Sequence, residues 1–171
     1  MKPQLLLLSD LWGFQQSHWQ QHYPHILGQN YDITLIDCCT LADVKTSQSS
    51  QEVIHQQFIN GGIDKGVNSL LDKKLTSDLI IGCSIGGLIA WKAMLQGLKA
   101  EKLIAISATR LRYEINKPEG DLTLYYGEED PYKPTNSWTA NLGLDTHIVP
   151  GEDHEMYKKA DFVQKIASSL S

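Results

Sequence analysis

Short apolar runs alternate along the chain with longer stretches in which apolar residues recur at helical spacing. This alternation is typical of a parallel β-sheet with helices on both faces, and it predicts a three-layer α/β sandwich with about six mostly parallel strands. Each run is apolar at nearly every position, so we expect each strand to be covered on both faces. The predicted strands are Gln4–Ser9, Ile33–Asp37, Leu79–Cys83, Lys102–Ser107, Leu122–Gly127 and Asp145–Val149.

Five helices are predicted between and after these strands. The second contains the pair Gly61-Gly62, and we expect it to be broken there because glycine disfavours a helix interior. No internal repeat or low-complexity segment divides the sequence, so residues 1–171 are predicted to form a single domain. The predicted helices are His18–Leu27, Ser50–Lys73, Gly86–Gly97, Thr135–Leu142 and Glu155–Leu170.

The composition is that of an ordinary globular protein, with 42% apolar and 20% charged residues. The formal net charge is −5 and no basic run is present, which argues against nucleic acid as a partner. The first apolar run is too short to span a membrane, and Asp10 follows it instead of a small-residue cleavage site. We therefore expect no membrane partner. Since the three cysteines form no disulfide pattern, the sequence also predicts a cytoplasmic protein.

The segment Gly82–Gly87 connects the third predicted strand to the third predicted helix and matches the pattern G-x-S-x-G. This pattern is the nucleophile elbow, in which a serine, here Ser84, lies on a tight turn between strand and helix. A side chain at Gly82 or Gly86 would collide with the neighbouring strand or helix. The turn also places Ser84 at a helix N-terminus, where free N–H groups favour a developing negative charge. The alternative is a glycine-rich turn in which Ser84 only caps the helix.

Two further polar residues follow predicted strands. Asp130 comes after the fifth strand, where Pro131 disfavours a helical conformation and leaves the carboxylate on a turn. His154 follows the sixth strand and precedes the last helix. Because the loops that follow parallel strands open on one edge of the sheet, we expect Ser84, Asp130 and His154 to meet there.

These three residue types have complementary chemistry. Ser84 is a poor nucleophile until a base takes its proton, and an imidazole that titrates near neutrality, here His154, is suited to that task. Asp130 would orient the imidazole and stabilise the imidazolium ion. Glu128 and Glu129 remain alternatives for the acid.

The loop after the first strand, Ser9–Phe14, is expected to supply a backbone N–H to the oxyanion of the reaction. By position Leu11 is the predicted donor, with Trp12 as the second choice. The other N–H of the oxyanion hole would come from Ile85, the residue after the serine. The alternative is an ordinary loop in which Trp12 packs on the edge of the core.

The segments Gly82–Gly87, Gly127–Pro131 and Pro150–His154 resemble the nucleophile, acid and histidine motifs of the α/β-hydrolase superfamily. The resemblance covers nearly the whole chain and implies a minimal α/β-hydrolase fold. One departure concerns the oxyanion loop, which in that family usually begins His-Gly and here begins Ser9-Asp10. This exchange brings a carboxylate close to the expected negative charge, unless Asp10 points away or is paired.

A second departure is size, because members usually insert a helical lid after the strand that follows the elbow. Only residues 108–121 separate the fourth and fifth predicted strands, so we expect no lid insertion and an open, shallow site partly covered by Tyr113 or Trp12. Trp12, Arg110 and Tyr113 are predicted to contact the substrate. Arg110 and Arg112 can hold a carboxylate or phosphate, and the alternative is a solvated surface pair.

The expected function is that of a serine hydrolase that cleaves small-molecule carboxylic esters through an acyl-enzyme intermediate. A thioesterase and a non-catalytic binding protein on a hydrolase scaffold are the alternatives. No cofactor or metal is expected, because Pro24 interrupts the histidines at positions 18, 22 and 25 and no acidic or thiol ligand lies close to them in the sequence. Cys83 is expected to be a small buried filler of the elbow. The oligomeric state is not indicated.

Overall fold

A computed structural model describes all residues from 1 to 171. Six strands form one open sheet in the order β2-β1-β3-β4-β5-β6, and every neighbouring pair is parallel. The predicted sheet is confirmed, although β3 and β4 begin three residues earlier than expected, where Thr76 pairs with Lys99 and Ser77 with Ala100. The strands are β1 Gln4–Leu8, β2 Asp32–Ile36, β3 Thr76–Cys83, β4 Lys99–Ile106, β5 Asp121–Gly127 and β6 Asp145–Val149.

The helices agree with the predicted ones in place, with one addition. Helix α2 was not predicted, and it forms because the carboxylate of Asp37 caps it by accepting from the N–H groups of Cys39 and Thr40. The long second predicted helix is broken as expected, with a left-handed residue at Gly61 (φ 114°) between α3 and α4. The helices are α1 His22–Leu27, α2 Cys38–Ala42, α3 Gln51–Gln57, α4 Ile63–Asp72, α5 Ile85–Leu95, α6 Asn136–Leu142 and α7 Ala160–Ser169.

Two hydrophobic clusters, one on each face of the sheet, make the three layers. The larger cluster joins one face of the strands to α2, the α3–α4 segment and α5, and Trp138 of α6 packs at its margin. The smaller cluster joins the other face to α1 and α7. Helix α5 is buried along nearly its whole length because β3, β4 and α4 all contact it.

The expectation that every strand is covered on both faces is wrong for β2 and β6. These are the two edge strands of the sheet, and each has only one buried residue. Leu35 of β2 and Ile148 of β6 are 40% and 43% exposed. β2 and β6 each contribute one buried residue to the two hydrophobic clusters, Ile36 and Val149, so the outer strands are only partly covered.

The strand order positions the site. The chain runs outward from β1 to β2, then returns to the other side of β1 to form β3. The direction of winding therefore reverses between β1 and β3, and α/β sheets bind ligands in the crevice at such a reversal, beside the carboxyl ends of the strands.

None of the helices is long and apolar enough to cross a membrane.

Candidate active site

Ser84 lies on the strained turn between β3 and α5, with φ 53° and ψ −118°. Its N–H donates to the carbonyl oxygen of Ile106 at 2.8 Å, which ties the turn to the end of β4. A Cβ on Gly82 would lie 2.6 Å from the Cα of Gly87, and a Cβ on Gly86 would strike the carbonyl oxygens of the β1 end. The elbow therefore depends on close backbone approach at both glycines, as the sequence predicted.

The structure brings Ser84, His154 and Asp130 together at the carboxyl edge of the sheet. The Oγ atom of Ser84 lies 3.0 Å from Nε2 of His154. The Nδ1 atom of the same ring lies 2.7 Å from Oδ2 of Asp130. The three side chains thus form a continuous chain of hydrogen bonds, in the order that a serine nucleophile, a base and an orienting acid require.

Asp130 is completely buried, whereas the side chain of His154 is 36% exposed. Burial acts to raise the pKa of Asp130, but hydrogen bonds from His154 and from the N–H of Tyr132 outweigh it and hold the pKa below its ordinary value of 3.8. The carboxylate is therefore charged at neutral pH and suited to stabilise an imidazolium ion.

The alternative acids do not reach the histidine. Glu128 is exposed and accepts from the N–H of Gly151 at 2.9 Å, and Glu129 is exposed as well. Of the three acidic residues in the turn after β5, Asp130 is the one that contacts His154.

The two predicted oxyanion donors line the cavity at Ser84. Ile85 is the first residue of α5, so its N–H has no partner inside the helix. The N–H of Leu11 makes no hydrogen bond within the chain, while the N–H of Trp12 donates to Oδ1 of Asp10 at 3.0 Å. The backbone therefore leaves Leu11, and not Trp12, free to donate to a ligand.

The carboxylate of Asp10 is buried and paired. Its Oδ1 accepts from the N–H of Trp12, and its Oδ2 accepts from the hydroxyl of Tyr157 at 2.9 Å. Burial raises the pKa of Asp10 above 3.8, and these hydrogen bonds act in the opposite direction. Both carboxylate oxygens are thus directed to protein donors, which resolves how this residue is accommodated in the oxyanion loop.

Cys83 is completely buried, as expected for a filler of the elbow. Burial raises the pKa of its thiol well above 9.0, so the thiol stays protonated. Its sulfur lies 3.8 Å from the hydroxyl of Tyr23, and that hydroxyl donates to the carbonyl oxygen of Tyr157. The residue before Ser84 therefore belongs to a buried structural network.

A cavity of about 660 Å³ opens above Ser84 and His154. Arg110 and Arg112 line it, on a single 3₁₀ turn (Thr109–Tyr113) that directly follows β4. Trp12 and Tyr113, which were also predicted to contact the substrate, do not line this cavity, and their contact with a substrate stays a prediction. Trp12 borders a separate depression that Asp10 also lines, and its N–H donates to Oδ1 of Asp10.

Tyr113 is exposed, and its ring contacts both guanidinium groups. In place of Trp12 and Tyr113, the start of α3 forms one wall of the cavity through Gln51 and His55, and Tyr132 borders it on another side. The sequence pattern predicted the helix but carried no signal for which of its faces meets the site. That placement depends on how the chain returns from β2 to β3.

The sequence matches no protein-family model and no curated protein. Solved structures are similar over the whole chain. A Xanthomonas campestris protein assigned to the α/β-hydrolase superfamily is 12% identical with a TM-score of 0.70, and the match covers 99% of this chain and 98% of that one. This chain has the α/β-hydrolase fold.

Two other structures with the α/β-hydrolase fold extend the comparison. A serine hydrolase without a lid, also from Xanthomonas campestris, is 13% identical with a TM-score of 0.63, over 99% of this chain and 81% of that one. Est816, an N-acyl homoserine lactone degrading enzyme, is 10% identical with a TM-score of 0.67, over 100% of this chain and 94% of its own. At these identities the likeness establishes the α/β-hydrolase fold and leaves the chemistry to be argued from the site.

Proposed function

We propose that this chain is a serine hydrolase that cleaves carboxylic esters through an acyl-enzyme intermediate. The observation that carries the proposal is the hydrogen-bonded series from Ser84 through His154 to Asp130, with distances of 3.0 and 2.7 Å. The elbow geometry of Ser84 and the N–H groups of Leu11 and Ile85 beside it support the same reading.

In the first half of the reaction, Oγ of Ser84 attacks the ester carbonyl while Nε2 of His154 takes its proton. The carbonyl electron pair moves to the oxygen, and the N–H groups of Leu11 and Ile85 donate to that oxyanion. When the tetrahedral intermediate collapses, the bond to the leaving alcohol breaks and Nε2 returns the proton to the leaving oxygen.

In the second half, a water molecule gives a proton to Nε2 of His154 and attacks the acyl carbon. The bond to Ser84 breaks, its oxygen regains the proton, and the carboxylic acid is released. Throughout the cycle, the charged Asp130 holds Nδ1–H and stabilises the imidazolium that forms twice. The partial exposure of His154 gives water access to the base.

The pairing of Asp10 removes the main argument for a non-catalytic scaffold. An unpaired carboxylate at the oxyanion loop would oppose the developing charge, but both oxygens of Asp10 already accept from protein donors.

A fluorophosphonate probe tests the proposal directly. We expect it to label the folded wild-type protein at Ser84, and we expect no label in the Ser84→Ala variant. Ser171, an exposed serine at the C-terminus, gives the matched control, because Ser171→Ala should label as the wild type does. Equal labelling of the Ser84→Ala variant, or no labelling of the folded wild type, would contradict the proposal.

Turnover of p-nitrophenyl acetate separates catalysis from binding alone. The wild type should release p-nitrophenol, and His154→Ala should lower kcat by roughly a thousandfold or more because Ser84 then lacks its base. We expect the variant to lose turnover while its circular dichroism spectrum shows that the fold is unchanged. A protein that binds esters without releasing p-nitrophenol would be a binding protein.

A further inference from the structure

The chain contains two arginines, Arg110 and Arg112, against thirteen lysines. Both arginines line the cavity that contains Ser84 and His154. The lysines do not line it. In a chain with a net charge of −5, the guanidinium groups are therefore concentrated at the proposed site.

Neither arginine has a carboxylate partner. The ion pairs in the chain all use lysine or histidine as the cation. Arg112 donates to the carbonyl oxygen of Thr109 at 2.7 Å and to the hydroxyl of Tyr113 at 2.9 Å, which leaves part of its donor set free. Arg110 makes no ion pair, and its guanidinium carbon lies 5.1 Å from the ring centroid of Tyr113.

Tyr113 holds the two like charges near each other. The guanidinium carbon of Arg112 lies 4.3 Å from the same ring centroid, and it also lies 5.7 Å from that of Tyr132. Aromatic faces attract guanidinium groups and restrict their positions without neutralising them. The result is a positioned pair of cations whose mutual repulsion a bound anion would relieve.

The other charged groups around the cavity also leave the two arginines without a neutralising partner. Burial lowers the pKa of His55, which faces the cavity from α3, and the charges of Arg110 and Arg112 lower it further. Glu52 and Glu155 also border the cavity, but neither pairs with an arginine, and Glu155 is paired with Lys158 at 2.9 Å. The arginines thus remain available to a ligand.

We propose that the substrate attacked by Ser84 carries a second, anionic group, a carboxylate or a phosphate, which Arg110 and Arg112 bind. This inference rests on the proposed hydrolase function. The planar guanidinium group matches both anions through paired N–H donors, and a lysine would not reproduce that geometry. The anion belongs either to the acyl part, as in a monoester of a dicarboxylic acid, or to the leaving group, as in a thioester of coenzyme A.

Matched substrates distinguish the two sources. For the acyl part, mono-p-nitrophenyl glutarate is compared with p-nitrophenyl butyrate, which lacks the carboxylate. For the leaving group, butyryl-coenzyme A is compared with butyryl-N-acetylcysteamine, which lacks the phosphates. The measured quantity is the ratio of kcat/KM for the anionic substrate to that for its neutral partner. We expect one pair to give a ratio of about ten or more in the wild type.

The arginine variants test whether that ratio comes from these side chains. Arg110→Gln and Arg112→Gln should each lower the ratio by about tenfold, and Arg110→Lys should give an intermediate value because it keeps the charge without the paired donors. Lys65→Gln is the control, since Lys65 is exposed, pairs with Asp43 and does not line the cavity. It should leave the ratio unchanged.

Each outcome has a separate meaning. Ratios near one for both pairs, or ratios that the arginine variants do not change, overturn the inference while Ser84-dependent turnover of the neutral esters leaves the hydrolase proposal standing. The absence of Ser84-dependent turnover with every substrate overturns the hydrolase proposal itself. Should the variants fail to fold, the wild type still decides, because glutaramate or coenzyme A must inhibit at least tenfold more strongly than the uncharged butyramide or N-acetylcysteamine.

Discussion

The hydroxyl of Tyr157 holds the one carboxylate that lies inside the oxyanion loop. It donates to Oδ2 of Asp10 at 2.9 Å, and the two residues are only 2% and 1% exposed. Burial, and then the charge of Asp10, raises the pKa of Tyr157 well above 10.0, so the hydroxyl is a donor at every working pH. The substitution Tyr157→Phe removes this donor and keeps the ring that packs edge-on against Trp19 at 5.1 Å.

The loss of stability in Tyr157→Phe can be worked out from the hydrogen bond between Tyr157 and Asp10. A hydrogen bond to a charged group contributes about 1.5–3 kcal/mol, and a buried acceptor left without a partner loses its solvation as well. We therefore expect Tyr157→Phe to lower the free energy of unfolding by about 2–3 kcal/mol at pH 7. Tyr126→Phe is the matched control, because that buried hydroxyl donates at 3.1 Å to a neutral acceptor, the carbonyl oxygen of Ala108. Its cost should be about 1 kcal/mol.

The pH dependence has a definite sign. The folded protein binds a proton on Asp10 more tightly than the unfolded chain, because the folded pKa lies above 3.8. Stability from this group therefore falls as the pH rises from 3.8 through the folded pKa. Removing the Tyr157 hydroxyl, which acts to lower that pKa, should make the fall larger. The cost of Tyr157→Phe is thus expected to be greatest at neutral pH and to shrink on acidification, whereas the cost of Tyr126→Phe should stay constant.

Urea unfolding of the wild type, Tyr157→Phe, Asp10→Asn and the double variant measures the coupling. We expect the two single changes to be non-additive at pH 7 by about 1.5 kcal/mol or more. Because Asp10 also holds the N–H of Trp12, next to Leu11, both changes should lower kcat for p-nitrophenyl acetate more than they raise KM. A cost below about 0.5 kcal/mol for Tyr157→Phe, or simple additivity, would refute the reasoning.

Three further results are expected. Asp130→Asn should lower kcat by roughly 10³–10⁴-fold in ester hydrolysis. The pKa of Asp130 lies below 3.8 in the folded protein, so the ionised carboxylate stabilises the fold at neutral pH, and this contribution is lost as the pH falls through the folded-state pKa. The urea midpoints of the wild type and Asp130→Asn should therefore converge in acid. Gly86→Ala should cost about 2 kcal/mol or more in urea unfolding, since the new Cβ would lie 2.8 Å from the carbonyl oxygen of Leu8. Gly66→Ala should cost less, because that glycine lies inside α4 and the nearest atom to its new Cβ would be the flexible Cδ1 end of Ile89 at 3.1 Å. Cys83 should resist an aromatic disulfide reagent in the folded protein and react on unfolding.

Contrary results would identify the faulty step. An Asp130→Asn variant with nearly normal kcat would show that another group orients His154. Equal costs for the two glycine substitutions would mean that the backbone at Gly86 yields easily. Prompt reaction of Cys83 in the native state would mean that the elbow opens in solution.

The strand-to-helix turn at Ser84 was predictable because its requirement is local. The glycines at 82 and 86 are needed for steric reasons that arise within a few residues, and the structure shows those close approaches. The meeting of Ser84, Asp130 and His154 was predictable for a more general reason: the loops after parallel strands all open on one edge of a sheet. Neither prediction needed the order of the strands.

Other features depended on that order. The exposure of β2 and β6 follows from their position at the edges of the sheet, and runs of apolar residues alone do not distinguish edge from centre. The wall formed by α3 depends on the path of the chain from β2 back to β3. Trp12 and Tyr113 lie outside the cavity, where Trp12 contacts Asp10 and Tyr113 contacts the two arginines, and no local pattern in the sequence predicted these contacts.

By itself, the sequence determined the α/β class, the elbow and the candidate triad, because periodicity, backbone sterics and strand ends are properties of short segments. The tertiary structure alone decided the partner of Asp10, a tyrosine 147 residues away along the chain. It also decided that both arginines line the same cavity as Ser84. Such pairings depend on how distant segments pack across the sheet, and no local pattern of residues encodes that packing.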